Sequence, residues 1–238
     1  MSGVATRGPA PAPPAEEERA RLLAAAGELL EANRRGAGTV PSPALYPHQW
    51  SWDAAFVAIG RSRLDQWRAA HELDSLLGGQ WANGMVPHIV FNPAVPATAY
   101  FPGPAFWRAG ELGGAPAGVE TSGITQPPLH ARAALEVYDH AADRGAALAF
   151  LARLYPRLVR QHDYLARHRA LAGHGLAAIV HPWESGLDNS PVWDAPLAAV
   201  ALAPGAVAPY RRRDLDHAEA ADRPTDRDYD RYIYLAGR

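Results

Sequence analysis

The sequence predicts an all-α protein with long functional loops. Apolar residues recur at helical spacing through several segments, and no alternating apolar–polar run suggests a half-buried strand. Gly and Pro gather between the periodic segments, where they end helices and shape loops. With 238 residues, 48% hydrophobic and 20% charged, the chain is long and apolar enough for one large domain with a substantial core. A formal net charge of −2 gives no pull towards nucleic acid or anionic membrane. All 23 basic residues are Arg, and the absence of Cys excludes disulfides, thiolate metal sites and Cys nucleophiles.

Residues 1–14 read as a flexible Pro/Ala-rich tail without the apolar core of a secretory signal, and residues 15–238 as the folded domain. No run reaches the ~18–20 apolar residues of a membrane span, so the cytoplasm is the expected compartment. Glu16-Glu17-Glu18 opens the first helix, with acids at its positive end; Leu22, Ala26, Leu29 and Leu30 share one face, and Gly36 and Gly38 close it. Ser51 reads as the N-cap of a helix to about Gly60, and a further helix runs from about Leu64 to Leu77 before Gly78-Gly79.

From Gln80 to Thr125 periodicity is lost, but Trp81, Phe91, Tyr100, Phe101, Phe106 and Trp107 mark the segment as functional rather than disordered. Pro127 and Pro128 suit the first turn of a helix reaching about Ala142. Leu148, Leu151 and Leu154, then Leu158, Val159 and Leu165, predict two helices split at Pro156, which lacks the amide donor a continuous helix needs. Ala177 to Val180 reads as a brief extended segment, residues 196–210 have no clear period, and a final helix begins at Thr225.

Four stretches carry candidate chemistry. Tyr46-Pro47-His48-Gln49-Trp50-Ser51-Trp52-Asp53 offers aromatic faces for stacking and a carboxylate able to accept from two vicinal hydroxyls; as a core anchor and helix start it reads equally well. Gln126, at the end of Thr121-Ser122-Gly123-Ile124-Thr125-Gln126, can present its amide to a ligand or satisfy free amides at a helix start. His88 and His130 stand alone in sequence, so no metal site is expected.

The third stretch, His181 to Asp194, packs Glu184, Asp188 and Asp194 beside Trp183 and Trp193. Indole faces next to carboxylates suit a sugar site, with an apolar surface for a pyranose and an acid, kept protonated by low polarity, for the glycosidic oxygen. Residue chemistry leaves the choice among the three acids open. The fourth stretch, Asp222 to Tyr232, holds Arg223 and Tyr229, a pair suited to a small carboxylate or to a charge-studded helix start.

Together these stretches resemble the mannosylglycerate and glucosylglycerate hydrolases of glycoside hydrolase family 63. The resemblance rests on Tyr46 to Asp53, Met85-Val86-Pro87-His88, Thr125-Gln126-Pro127-Pro128, Trp183 to Pro191 and Arg223-Pro224-Thr225, in that order. It implies an (α/α) toroid and an inverting mechanism with no metal or organic cofactor, acting on a small carbohydrate. By the same resemblance Asp188 is the general acid. Tyr46, Trp50, Trp52, Asp53, Gln126 and Trp183 line the glycosyl subsite, and Arg223 and Tyr229 hold the glycerate carboxylate. The general base of the family lies in the second half of the ring. The chain is therefore expected to carry about half a toroid, with apolar helix faces left unburied and without that base. A non-catalytic sugar-binding remnant and another toroid glycosidase, of trehalase or glucoamylase type, are the competing expectations. The oligomeric state has no signature in the sequence.

Overall fold

The computed structural model describes residues 15–238, so the tail expected over residues 1–14 lies outside the described residues. The fold is mostly helical. Helix α1 spans Glu16–Ala32, α2 Ser51–Arg61, α3 Gln66–Leu77, α4 Pro104–Trp107, α5 His130–Asp139, α6 Arg144–His168, α7 Asp194–Ala198 and α8 Asp226–Ala236. Three two-residue antiparallel pairs punctuate it. β1 (Arg34–Arg35) pairs with β2 (Gly38–Thr39), β3 (Gln49–Trp50) with β4 (Ile89–Val90), and β5 (Ala170–Leu171) with β6 (Leu176–Ala177).

Helices α2, α3, α5 and α6 pack around one core. Ala54, Ala55, Ala58, Ala69, Ala133 and Ala134 let the helices approach closely, and Leu73, Leu76, Leu77, Phe150, Leu154 and Leu158 fill the space between. Two helix starts are satisfied by a neighbouring side chain. Asp65 caps α3 by accepting from the Arg68 amide at 3.0 Å. Thr225 caps α8, its hydroxyl accepting from the Asp228 amide at 3.2 Å and donating to the Asp228 carboxylate at 2.6 Å.

Three expectations need correction. Pro156 does not split its segment, because α6 runs unbroken through it for 25 residues. Pro156 and Ala152, whose carbonyl loses its partner, both face solvent, so water replaces the missing bond. Meanwhile Phe150, Leu154, Leu158, Gln161 and Tyr164 keep one buried stripe across the proline. Helix α5 starts at His130, after Pro127 and Pro128, because the chain first makes a tight turn in which the Leu129 amide donates to the Pro127 carbonyl. The N-cap of α2 is Trp50 rather than Ser51, whose hydroxyl instead lies 3.1 Å from His130 Nε2.

The apolar face expected on α1 is formed but largely uncovered. None of its residues is fully buried, and Leu22 and Leu29 are 52% and 62% exposed. Trp67 on α3 is 69% exposed and stacks only on His71. No helix among the described residues is long and apolar enough to cross a membrane.

Candidate active site

A cavity of about 200 Å³ opens between the start of α2, the aromatic loop before α5, the loop before α7 and the start of α8. It is lined by all nine residues singled out from the sequence: Tyr46, Trp50, Trp52, Asp53, Gln126, Trp183, Asp188, Arg223 and Tyr229. His88, Tyr100, Phe101, Gly186 and Asp214 complete its wall, together with Pro41, Leu45 and Pro224.

The α2 side is set by how the helix start is satisfied. Residue 126 does both jobs considered for it: Gln126 Oε1 accepts from the Trp52 amide at 3.2 Å, closing one free donor of α2, while the residue lines the cavity. Its amide nitrogen is the part left for a ligand. Behind this edge His130, fully buried, is held from both sides. Gln161 Nε2 lies 2.8 Å from its Nδ1, and the Ser51 carbonyl lies 3.1 Å from its Nε2. Since an amide nitrogen only donates, Nδ1 accepts and Nε2 carries the proton. Burial lowers the His130 pKa to about 4, so the ring is neutral.

The facing wall is hung from His181. Its Nδ1 accepts from the Trp183 amide at 3.1 Å and its Nε2 donates to the Tyr232 carbonyl at 2.9 Å, tying the turn Pro182–Ser185 to α8. Gly186 follows with φ of 67°, and a Cβ there would lie 2.7 Å from Cζ2 of Trp52. Only glycine lets the loop press this closely on the indole. Aromatic contacts then fix the other rings. His88 stacks on Trp183 with centroids 6.1 Å apart, and Trp50 meets Tyr46 and Tyr100 edge-on at 5.1 and 5.2 Å.

The three acids of the loop meet different fates. Glu184 is committed to structure: its Oε1 accepts from Arg169 at 2.7 Å and from the Thr125 amide at 3.3 Å, and its Oε2 from the Val180 amide at 2.9 Å. Asp194 is exposed at the start of α7 and lies outside this cavity. Asp188 lines the cavity, and its backbone carbonyl accepts from the Tyr232 hydroxyl at 2.8 Å. Burial raises the Asp188 pKa above the usual carboxylate range and Asp214 adds to the rise, against Arg223 and its own amide. Burial also raises Asp53, to about 6, against a hydrogen bond from its own amide.

Arg223 donates from Nε to Asp214 at 3.0 Å and from Nη1 to the Tyr46 hydroxyl at 3.3 Å. The Tyr229 hydroxyl donates to the Phe101 carbonyl at 3.2 Å, so this residue offers the cavity its ring and a lone pair. Asp214, His88 and Tyr100 were not given site roles from sequence. Asp214 hides in an Arg-Arg-Arg-Asp-Leu-Asp charge run, and His88 gains its partners only in space. Among the described residues no group of three His, Asp or Glu side chains is placed to hold a metal.

Residues 46–238 match the mannosylglycerate hydrolase MGH1-like glycoside hydrolase domain. The chain belongs to this family. It is 46% identical to the mannosylglycerate hydrolase of Rubrobacter radiotolerans over 94% of its own length and 50% of that protein's. It is 48% identical to the glucosylglycerate hydrolase of Mycolicibacterium hassiacum, over 90% and 49% respectively. Its fold matches the family 63 mannosylglycerate hydrolase of Thermus thermophilus crystallised with Tris and D-glycerate. That match has a TM-score of 0.81 and 44% identity, covering 90% of this chain and 49% of that one. The same enzyme with glucose gives a TM-score of 0.74. The chain spans about half the length of the curated relatives it matches. The fold is thus a partial (α/α) toroid of the glycoside hydrolase type, as the motif order implied.

Proposed function

We propose that this chain carries the acid half of an inverting glycoside hydrolase for an α-glycoside of glycerate, such as glucosylglycerate or mannosylglycerate. The observation that carries the reading is the pairing, in one aromatic-walled cavity, of Asp188 with the Asp214-braced Arg223. A leaving glycosidic oxygen needs a proton, and burial shifts the Asp188 carboxyl towards its protonated form. Asp188 donates it. Trp50, Trp52, Trp183 and Tyr46 give a pyranose its flat apolar surfaces, and Asp53 and the Gln126 amide nitrogen take its hydroxyls. Arg223 anchors the glycerate carboxylate through its remaining N–H groups, with Tyr229 beside it.

Inversion needs a second carboxylate ~6.5–9.5 Å from the acid, across the sugar ring. The other carboxylates near the cavity already have work. Asp214 is clamped by Arg212 and Arg223, Asp53 sits at the positive start of α2, Asp228 pairs with Thr225 and Arg231, and Asp230 accepts from Tyr210. In this reading the base comes from outside these 238 residues, so the chain by itself binds without hydrolysing.

Tryptophan fluorescence titrations with glucose and D-glycerate, beside an assay of glycerate release from glucosylglycerate, test this. The expected outcome is binding of both ligands by residues 1–238 without release, and release once the chain is extended to the length of its relatives. Arg223→Ala is expected to weaken D-glycerate far more than glucose. Release by residues 1–238 alone would place the base within the chain, and equal loss of both ligands would remove the glycerate assignment.

A further inference from the structure

This inference rests on the reading of Arg223 as the anchor for a ligand carboxylate. An arginine on a flexible stem is a poor anchor unless its planar fork is aimed before the ligand arrives. Arg223 lies in extended backbone after the short turn Ala220–Asp222, outside any helix or strand. Side-chain contacts must therefore do the aiming, and the firmest is Asp214, 7% exposed and 3.0 Å from Arg223 Nε.

Asp214 is itself held from behind. Arg212 grips it with two bonds, Nε to Oδ1 at 3.1 Å and Nη2 to Oδ2 at 2.6 Å. Arg212 in turn donates to the Pro224 carbonyl at 2.7 Å and lies over the Tyr229 ring, 4.5 Å from its centroid. The Pro224 bond fastens Arg212 to the residue next to Arg223, so the brace closes on itself.

The contacts made by Arg223 use Nε and one Nη1 N–H. Among the described residues Nη2 has no protein partner and Nη1 keeps one N–H, so N–H groups remain for a carboxylate. Asp214 also offsets one of the two adjacent guanidinium charges, which would otherwise repel each other.

We propose that Asp214 is a positioning residue: braced by Arg212, it aims the unused N–H groups of Arg223 into the cavity for a ligand carboxylate. The role is distinct from a general structural one because it touches one ligand class only. Calorimetric titration of the 238-residue chain with D-glycerate and with glucose reads the difference. Asp214→Asn is expected to weaken D-glycerate about tenfold or more relative to glucose, and Asp214→Glu to recover part of that loss.

Should Asp214→Asn fail to fold, Arg212→Gln, which loosens the brace from behind, is expected to show the same selective loss. Equal weakening of both ligands, or unchanged D-glycerate affinity, in whichever variant folds would overturn the proposal while leaving Arg223 as the anchor. Wild-type chain that binds glucose but no D-glycerate would remove the Arg223 reading and this inference with it.

Discussion

Gly186 presses the loop of Asp188 against the indole of Trp52, and replacing it with Ala separates two energies that the structure superposes. The first is backbone. At φ of 67° an L side chain crowds the following carbonyl, which costs about 1–2 kcal/mol. The second is packing. The new methyl would sit 2.7 Å from Cζ2 and 2.9 Å from Cε2 of Trp52, against a rigid indole with no flexible end to give way. Overpacking of this kind costs about 1–3 kcal/mol, so Gly186→Ala should lose about 2–5 kcal/mol in urea unfolding at pH 7. Gly36→Ala isolates the backbone part, since Gly36 has φ of 62° and nothing within 4 Å of an added methyl carbon; it should lose only about 1–2 kcal/mol. The excess at Gly186 measures the close approach. Because the strain is relieved by pushing Trp52 or the Asp188 loop, glucose affinity should fall for Gly186→Ala and hold for Gly36→Ala. Equal stability losses for the two variants, with glucose binding intact in both, would refute the claim that the loop is pressed on the indole.

Three further outcomes follow from the same contacts. Arg169→Met leaves the buried Glu184 carboxylate, 2% exposed, without its cation, and should cost about 3–5 kcal/mol by urea unfolding; a loss under about 1 kcal/mol would mean that the two backbone amides suffice. Asp188→Asn should retain glucose and D-glycerate binding in this chain while abolishing glycerate release in its extended form; residual turnover of glucosylglycerate would move the acid elsewhere. His130 should make stability fall with pH. Its folded pKa of about 4 lies below the ordinary 6.5, so its contribution is complete above pH 6.5 and is lost as pH falls towards 4, by about 3 kcal/mol. His48, His88 and His181 share that sign, and Asp53, raised to about 6, opposes them, so urea midpoints should drop between pH 7 and pH 5, and a rise would contradict the neutral assignment.

The sequence was most legible where one residue acts on its own neighbours. Thr225 caps α8 through the amide three residues away, and that helix start could be read from it. Pro156 misled because the local penalty was weighed without knowing that its face of α6 is wet, whereas Ser51 was assigned a capping job that its contact with His130 displaces. The nine cavity residues were reachable through motif order and not through chemistry. Nothing local separates Glu184 from Asp188, because what distinguishes them is Arg169, 15 positions away, and the amide of Thr125, 59 away. Asp214 was invisible for the same reason: a run of Arg and Asp looks like solvated surface until its burial against Tyr229 and Arg223 is seen.

These partnerships explain how one short loop and one charge run sort their carboxylates without any difference in residue type. Glu184 receives a whole guanidinium and two amides, which hold it in place under the loop. Asp214 receives two guanidiniums, which overcome burial and hold its pKa below the ordinary value. Asp188 receives no guanidinium of its own. Burial therefore dominates at Asp188, and the charge of Arg223 reaches it already shared with Asp214. In the proposed reading, a ligand carboxylate on Arg223 would share that charge further and raise Asp188 again. The placement of arginines thus separates the carboxyls that are clamped from the one whose shift is left to burial.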